Sequence, residues 1–250
     1  MSVALVSDLH LGAQTPRTNS AFVAFLSTLD QRQPAVDALW ILGDLFEIWV
    51  GDDTLDDPSE RGWLDPVLTA LRDCSRRRSL WLMVGNRDFL LGARFAESAG
   101  IKLCDEPHRV NLGGVDTVLL HGDTLCVADV EYQQFRQQVR SPLWREQFLG
   151  RSYPERRAVG AQLRDASQAA AAKKSIAIMD ADADLANEVL RQQGARRLIH
   201  GHTHRPNRHL HPHGERWVLP DWDDDRVQDS CASAPARGLL IQENGTVEPI

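Results

Sequence analysis

Five short apolar segments of this chain each stop abruptly at polar residues. They are VALVSDLH (3–10), ALWILGDLFE (38–47), SLWLMVGNRD (79–88), DTVLLHGD (116–123) and RRLIHGHTH (196–204). Continuous apolar runs of this length are typical of strands that are buried on both faces. The intervening segments 20–32, 66–77 and 181–194 show the apolar spacing of helices. Strands that alternate with helices predict an α/β fold with a substantially parallel sheet.

Each apolar run ends in side chains that can bind metal ions. These side chains are Asp8, His10, Asp44, Asn86, Asp88, His121, Asp123, His200, His202 and His204. Sites in α/β folds form where loops leave the carboxyl ends of strands, so we expect these side chains at one edge of the sheet. Glycines stand beside them in GD, GN, HGD and HGH, where the backbone must turn tightly or approach another group closely.

Carboxylate and imidazole ligands suit Mn²⁺, Fe²⁺ or Zn²⁺, and the absence of thiolates disfavours a structural zinc site. The ligands are too many for one ion, whereas two ions about 3.5–4 Å apart would use them all. Such a pair clamps the attacking and leaving oxygens of a phosphoryl displacement. Each motif alone has an ordinary explanation, since Asn86 can be a turn residue and His121 a hydrogen-bonded core histidine. The five motifs together favour a dimetal site.

Composition excludes several other classes of protein. With 250 residues, the chain can bury one large core or two small ones. The formal net charge of −7 argues against a general nucleic-acid binder. No apolar run approaches the roughly 20 residues that span a bilayer, and the N-terminus lacks a secretion signal. Cys74, Cys104, Cys126 and Cys231 are scattered and predict reduced, mostly buried thiols in a cytoplasmic protein.

The order D-x-H, G-D, G-N, H and G-H-x-H over residues 8–204 resembles that of the calcineurin-like metallophosphoesterases. The longer strings SDLHLG, LGDLFEIWVGDD, GNRDFLLG, LHGDTLC, YQQFR, KSIAIMD and IHGHTHRP narrow the resemblance to the UDP-2,3-diacylglucosamine diphosphatases of the lipid A pathway. The resemblance implies an α-β-β-α sandwich of two mixed sheets. It also implies a single domain over residues 1–250, with a helical cap inserted at residues 130–175.

The resemblance also assigns the metal ligands. Asp8, His10 and His204 would hold the first ion, and Asn86, His121 and His202 the second, with Asp44 bridging the two. The implied cofactor is two Mn²⁺ per chain, with Fe²⁺ or Zn²⁺ as alternatives. His200, two residues before His202, is expected to orient a ligand or to bond to the backbone.

Catalytic roles are implied for Asp44, Asn86, Arg87 and His121. The implied substrate contacts are Asn86, Arg87, Asp129, Ser167, Lys174 and His202. One further contact position of the family holds Ala171, where the backbone or Lys173 would have to substitute for a polar side chain.

Arg87 departs from the wider superfamily, in which many members have histidine after the G-N pair. That histidine can protonate a leaving alkoxide, whereas arginine cannot donate a proton near neutral pH. The planar fork of Arg87 can instead clamp a phosphate. This suits a sugar 1-phosphate leaving group, because the second pKa of a phosphate monoester is about 6. The alternative is a simple ion pair between Arg87 and Asp88.

Residues 132–175 contain nine Lys or Arg but three Asp or Glu. Tyr132, Phe135 and Val139 have helical spacing, and Leu143, Trp144, Phe148 and Leu149 add apolar bulk. A basic amphipathic surface can contact anionic headgroups; the alternative is a solvated helical face packed on the core. The resemblance implies that this cap holds the acyl chains and part of the nucleotide. Residues 218–238 are assigned no chemistry, and residues 238–250 predict a hairpin around Asn244-Gly245.

The implied reaction is hydrolysis of the pyrophosphate bond of UDP-2,3-diacylglucosamine to UMP and 2,3-diacylglucosamine 1-phosphate. The implied nucleophile is a hydroxide that two metal ions activate and that attacks the α-phosphorus. The implied partners are a nucleotide-linked lipid and an anionic membrane surface, with no nucleic acid and no obligatory protein partner. The implied location is the inner face of a Gram-negative inner membrane. Two alternatives stay open: a phosphodiesterase or nucleotide pyrophosphatase with soluble substrates, and a metal-bound scaffold without catalysis.

Overall fold

In a computed structural model, which describes residues 1–33, 35–171, 174, 178–225 and 236–250, two β-sheets lie face to face between layers of helices. The strands are β1 Val3–Val6, β2 Ala38–Leu42, β3 Ser79–Met83, β4 Lys102–Cys104, β5 His108–Leu112, β6 Val115–Leu119, β7 Arg197–His200, β8 Asn207–His211, β9 Gly214–Val218, β10 Leu239–Ile241 and β11 Val247–Pro249. The helices are α1 Pro16–Thr28, α2 Arg61–Ser75, α3 Ala93–Ala99, α4 Val130–Arg140, α5 Pro142–Leu149, α6 Tyr153–Ala171 and α7 Ala183–Gln193. Lys173, Cys231 and residues 175–177 and 226–235 lie outside the described residues.

The first sheet has the strand order β11-β10-β1-β2-β3-β4, and the second has the order β5-β6-β7-β9-β8. Strands β1 to β4 are parallel, as are β6, β7 and β9, and the remaining strands join antiparallel. The two mixed sheets confirm the architecture that the resemblance implies. The predicted α/β fold with a substantially parallel sheet is also confirmed, since β1 to β4 run parallel. The division of the strands between two sheets was not predicted from the apolar runs, because a run indicates burial on both faces but not which strands pair.

Both faces of the first sheet are buried, which explains the uninterrupted apolar runs. Leu5 belongs to the same apolar cluster as Leu119 and Ile199 of the second sheet. Val6, on the opposite face, belongs to the core beneath α1, α2 and α3. Leu190 of α7 packs on the outer face of the second sheet. Successive residues of a strand point to opposite faces, so a strand between two layers needs apolar residues throughout.

Three predicted helices are confirmed as α1, α2 and α7, and the predicted terminal hairpin is confirmed as β10 and β11. Helix α2 starts at Arg61, five residues before the predicted start at Pro66. The apolar spacing from which the helix was predicted indicates its buried face but does not define where its first turn begins. Pro66 lies inside the helix instead, where its ring forgoes one hydrogen bond.

Helices α4, α5 and α6 follow β6 and extend over the loops at the carboxyl ends of the strands. Ser141 caps α5 by accepting a hydrogen bond from the backbone N–H of Trp144. Arg156 of α6 is buried and donates to the backbone oxygen of Val50 and to Asp53. Helices therefore occupy the region of the predicted cap. None of the described helices is long and apolar enough to cross a membrane.

Candidate metal centre

The loops that carry the predicted ligands have an unusual backbone conformation. Asp8, His10, Asp44, His202 and His204 all have positive φ, between 50° and 65°. Residues other than glycine rarely adopt this left-handed conformation, which costs on the order of 1 kcal/mol or more at each position. Five such residues in one place indicate that the surrounding structure holds these side chains in a required direction.

The glycines of the GN and GH motifs permit close approach between these loops. A Cβ on Gly85 would overlap the backbone nitrogen and Oδ1 of Asp44, and a Cβ on Gly201 would overlap Oδ2 of Asp8. The backbone nitrogen of Leu9 donates to the carbonyl oxygen of Asp44 across 2.9 Å. The loops after β1, β2, β3 and β7 are therefore in direct contact.

One predicted ligand group consists of Asp8, His10 and His204, whose ligand atoms lie within 4.8 Å of one another. Asp8 Oδ1 lies 3.2 Å from His204 Nε2. Burial opposes ionisation of Asp8, but the neighbouring histidines outweigh burial and hold the pKa of this carboxyl well below its usual range. Burial also opposes the charge on His204, yet the carboxylate of Asp8 dominates and raises the pKa of His204 to about 10.

A second group consists of Asp8, Asp44 and His121, again within 4.8 Å. His121 Nδ1 lies 2.9 Å from the carbonyl oxygen of Leu42, which can only accept, so Nδ1 carries a proton. His121 Nε2 then faces Asn86 Oδ1 at 3.0 Å and Asp44 Oδ1 at 3.8 Å. Burial opposes a charge on His121, but the carboxylates of Asp44 and Asp8 raise its pKa to about 9. His121 Nε2, Asn86 Oδ1 and Asp44 Oδ1 thus converge at one point, where a cation can lie between them.

His202 lies beside this second group. Its backbone N–H donates to Asp8 Oδ2 across 2.8 Å, and its ring centre is 5.1 Å from that of His121. Burial and the neighbouring His121 lower the pKa of His202 to about 4. The neutral imidazole is the form that binds metal ions.

These residues fit a pair of divalent cations. Within the described part of the chain, His10 Nε2 is buried without a hydrogen-bond partner and is a potential metal ligand. Carboxylate oxygens, imidazole nitrogens and an amide oxygen suit Mn²⁺, Fe²⁺ or Zn²⁺. All seven predicted ligands lie in this one cluster, in which Asp8 belongs to both groups.

His200 is part of the same motif but is not directed at the cluster. It is fully buried, with Nδ1 2.8 Å from the carbonyl oxygen of Gly201 and Nε2 3.1 Å from Arg216 Nη1. Burial and then the charge of Arg216 lower the pKa of His200 to about 3. The expectation that His200 bonds to the backbone therefore agrees with the structure.

This buried histidine predicts a pH dependence of stability. In the unfolded chain His200 binds a proton below about pH 6.5, whereas in the folded chain it stays neutral until about pH 3. We expect the free energy of unfolding of the wild type to fall more steeply than that of His200→Gln as the pH drops from 6.5 to 5. The excess slope rises from about 0.7 kcal/mol per pH unit at pH 6.5 to about 1.4 near pH 5. Urea unfolding in the presence of a chelator measures both slopes, and equal slopes would contradict the assignment.

Arg87 and Asp88 do not form the alternative ion pair. Asp88 is buried and accepts hydrogen bonds from the backbone nitrogens of Gly85, at 2.7 Å, and Leu45, at 2.8 Å. Burial and the nearby Asp44 raise the pKa of Asp88 to about 6. Asp88 therefore ties the loop after β2 to the loop after β3. Arg87 lines the adjacent cavity instead, and within the described residues it forms no ion pair.

Several residues at this site were not found from the sequence. Glu47 Oε2 lies 2.9 Å from His10 Nδ1, and Asp221 Oδ2 lies 3.3 Å from His204 Nδ1. Asp221 lies in the segment 218–238, to which no chemistry was assigned from the sequence, and the structure brings it into contact with a predicted ligand. Its sequence context, LPDW, offers no recognisable signal, whereas Glu47 stands in the string that carries Asp44.

The first helix of the cap region also reaches the centre. Tyr132 donates from its hydroxyl to Asp123 Oδ2 across 2.6 Å, and its ring stacks on that of His202 with 6.0 Å between centres. Arg136 donates to the same Asp123 oxygen across 2.7 Å. Asp123 thus anchors α4 next to His202.

A cavity of about 570 Å³ opens beside the cluster. Its wall includes His10, Asp44, Asn86, Arg87, His202 and His204, together with Ile48, Phe89, Phe135, Trp144, Phe148 and Leu163. The predicted substrate contacts Asp129, Ser167 and Lys174 line the same cavity. Lys174 Nζ lies 2.7 and 2.8 Å from the two oxygens of Asp129.

Comparison with known proteins gives a consistent result. The sequence signature of the Calcineurin-like phosphoesterase family matches residues 1–206. A UDP-2,3-diacylglucosamine hydrolase of Bordetella pertussis is 43% identical over 96% of this chain and 92% of its own length. Proteins of the same name from Cellvibrio japonicus and Chromobacterium violaceum are each 42% identical, over 97% and 90% of this chain and 98% and 92% of their own lengths.

Proposed function

The chain belongs to the calcineurin-like phosphoesterase family, and from this premise we propose that it hydrolyses the pyrophosphate bond of UDP-2,3-diacylglucosamine. Water attacks the α-phosphorus, and the products are UMP and 2,3-diacylglucosamine 1-phosphate. The names of relatives that are about 40% identical over most of the chain support this substrate.

One structural observation carries the proposal: candidate metal ligands and a large apolar wall share one cavity. His10, Asp44 and His202 line it together with aromatic side chains such as Trp144 and Phe148. The proposed substrate has an anionic pyrophosphate, which matches the candidate metal ligands, and two acyl chains, which match the apolar wall. Burial of acyl carbon contributes about 0.8 kcal/mol per methylene, so the apolar wall favours a lipid over a soluble nucleotide.

The proposed cofactor is a pair of Mn²⁺ ions, with Fe²⁺ or Zn²⁺ as alternatives. Asp8, His10 and His204 would hold one ion, and Asn86, His121 and His202 the other, with Asp44 shared. When bound, such a pair lowers the pKa of a water molecule and neutralises charge on the phosphoryl oxygens. The buried carboxylates of Asp8 and Asp44 hold the histidines in the required directions.

Arg87 binds the phosphate that leaves. Its backbone nitrogen donates to Asp44 Oδ1 across 2.8 Å, which fixes the start of the side chain beside the shared ligand. Its guanidinium presents a planar fork that matches two phosphate oxygens. The sugar 1-phosphate departs as an anion without a donated proton, because its second pKa is about 6.

Asp129, Ser167 and Lys174 contact the sugar and phosphate groups of the substrate. Lys174 supplies positive charge, and Asp129 orients its ammonium group through the short contacts described above. Helices α4, α5 and α6 act as the cap that covers the acyl chains. This assigns residues 130–175 to an insertion within one domain.

The cap also contacts the anionic inner face of the inner membrane. Val130, Leu143 and Leu149 expose 59%, 64% and 42% of their surface, and Arg151 is exposed nearby in the chain. Exposed apolar side chains next to basic ones bind anionic interfaces. We expect Leu143→Glu to reduce the fraction of protein that sediments with phosphatidylglycerol vesicles. Leu210→Glu, on strand β8, should leave this fraction unchanged. Equal losses in both variants would contradict this surface.

Product analysis in ¹⁸O-labelled water tests the reaction. With UDP-2,3-diacylglucosamine and Mn²⁺, we expect UMP that carries the label. Label in the lipid phosphate would place attack on the other phosphorus. Turnover of cyclic nucleotides or ADP-ribose without the lipid would favour the soluble-substrate phosphodiesterase. A metal-replete protein without any turnover would favour the non-catalytic scaffold.

A further inference from the structure

Among the described residues, two carboxylates contact the outer ring nitrogens of the histidines in one of the two ligand groups but not in the other. Glu47 Oε2 lies 2.9 Å from His10 Nδ1, with the Glu47 side chain 19% exposed. Asp221 Oδ2 lies 3.3 Å from His204 Nδ1, with Asp221 35% exposed. His204 Nε2, the opposite ring nitrogen, faces Asp8 at 3.2 Å.

The other group has no such support in the described residues. The Nδ1 of His121 meets the uncharged carbonyl oxygen of Leu42 at 2.9 Å. A carboxylate behind a metal-binding imidazole fixes its tautomer and orientation and raises its basicity, and an uncharged carbonyl raises the basicity less. The two groups therefore differ in the charge behind their histidines.

We propose that Glu47 and Asp221 are positioning residues that orient His10 and His204 and selectively strengthen one of the two ion sites. This inference rests on the dimetal centre of the proposed function. It adds two residues from distant parts of the chain, one in the loop after β2 and the other after β9.

Arg164 of α6 provides a matched control. Its Nε donates to Glu47 Oε1 across 2.8 Å, whereas His10 contacts the other oxygen of the same carboxylate. Replacing Arg164 removes an ion pair of Glu47 but keeps the contact between Glu47 and His10. Comparing the Arg164 variant with the Glu47 variants therefore separates loss of the contact between Glu47 and His10 from a general loosening of the cap.

The test is a titration of the metal-free protein with Mn²⁺, in which the electron paramagnetic resonance signal of free Mn²⁺ reports binding. We expect two equivalents in the wild type. Glu47→Ala and Asp221→Ala should each weaken one equivalent about 10- to 100-fold and leave the other unchanged. His10→Ala removes a proposed ligand of one ion, so the equivalent of Mn²⁺ that it weakens should be the one that Glu47→Ala and Asp221→Ala weaken. Glu47→Gln and Asp221→Asn, which keep an acceptor, should recover part of the loss and serve if an alanine variant does not fold.

The outcomes separate this inference from the proposed function. Arg164→Gln should change either affinity by no more than about fivefold, as befits a partly exposed ion pair. Two equivalents in the wild type with unchanged affinities in Glu47→Ala and Asp221→Ala would overturn the positioning role alone. Equal weakening of both equivalents, or an equal effect of Arg164→Gln, would overturn it too. A wild type that binds fewer than two Mn²⁺ ions would overturn the dimetal centre itself.

Discussion

Replacing Asp44 with alanine will lower kcat for UDP-2,3-diacylglucosamine by at least about 10³-fold, which corresponds to about 4 kcal/mol of transition-state stabilisation. Asp44 is 2% exposed, lies in the second ligand group and accepts a hydrogen bond from the backbone of Arg87. Its loss removes the shared ligand and leaves His121 without the carboxylate that contributes to its raised pKa. Both proposed ions would be held less well.

Steady-state turnover with saturating Mn²⁺, together with the number of ions bound, measures this effect. Asp184→Ala is the matched control, because it removes an exposed carboxylate from α7 and should leave kcat unchanged. His121→Ala should resemble Asp44→Ala, since His121 lies in the same group. A wild-type rate in either site variant would refute the site assignment.

Replacing Arg87 with alanine will lower kcat/KM by about 10²-fold. Two charge-assisted hydrogen bonds to a phosphate contribute roughly 1.5–3 kcal/mol each, part of which water restores. Arg87→Lys should recover a fraction of the loss, because lysine supplies the charge but not the planar fork. Arg191→Ala, which removes an exposed arginine of α7, is the control and should retain wild-type kcat/KM.

Arg87→His tests the leaving group. It recreates the G-N-H pattern, whose histidine can protonate an alkoxide. For UDP-2,3-diacylglucosamine we expect no recovery over Arg87→Ala, because the 1-phosphate leaves without a proton. For an alkyl phosphodiester we expect Arg87→His to exceed the wild type. If Arg87→His were more active than Arg87→Ala on UDP-2,3-diacylglucosamine, departure of the 1-phosphate would need a proton donor.

The strands that could be predicted from the sequence are those buried on both faces. β1, β2, β3, β6 and β7 have continuous apolar runs because other layers cover each side. β5 alternates between half-buried and exposed residues, and β8 is a mostly exposed edge strand. Neither strand has an apolar run, so neither was predicted.

The candidate metal ligands could be predicted because each stands at the end of a recognisable apolar run or in a short motif. Their supporting residues could not. Asp221 meets His204 through the loop after β9, and Tyr132 meets His202 through α4. No local pattern indicates these contacts, since they arise only when separate segments pack together.

The sequence by itself determined the α/β class, the ligand types and their order along the chain, because hydrophobic periodicity and side-chain chemistry are local properties. Only the tertiary structure decided how the strands divide between two sheets and which backbone conformations and distant partners hold the histidines of HGHTH. His202 and His204 adopt left-handed conformations that direct them to Asp8 and His121, whereas His200 ends β7 and is held by Gly201 and Arg216. The physical reason is that side-chain direction depends on backbone dihedral angles and on partners that the fold brings from distant positions.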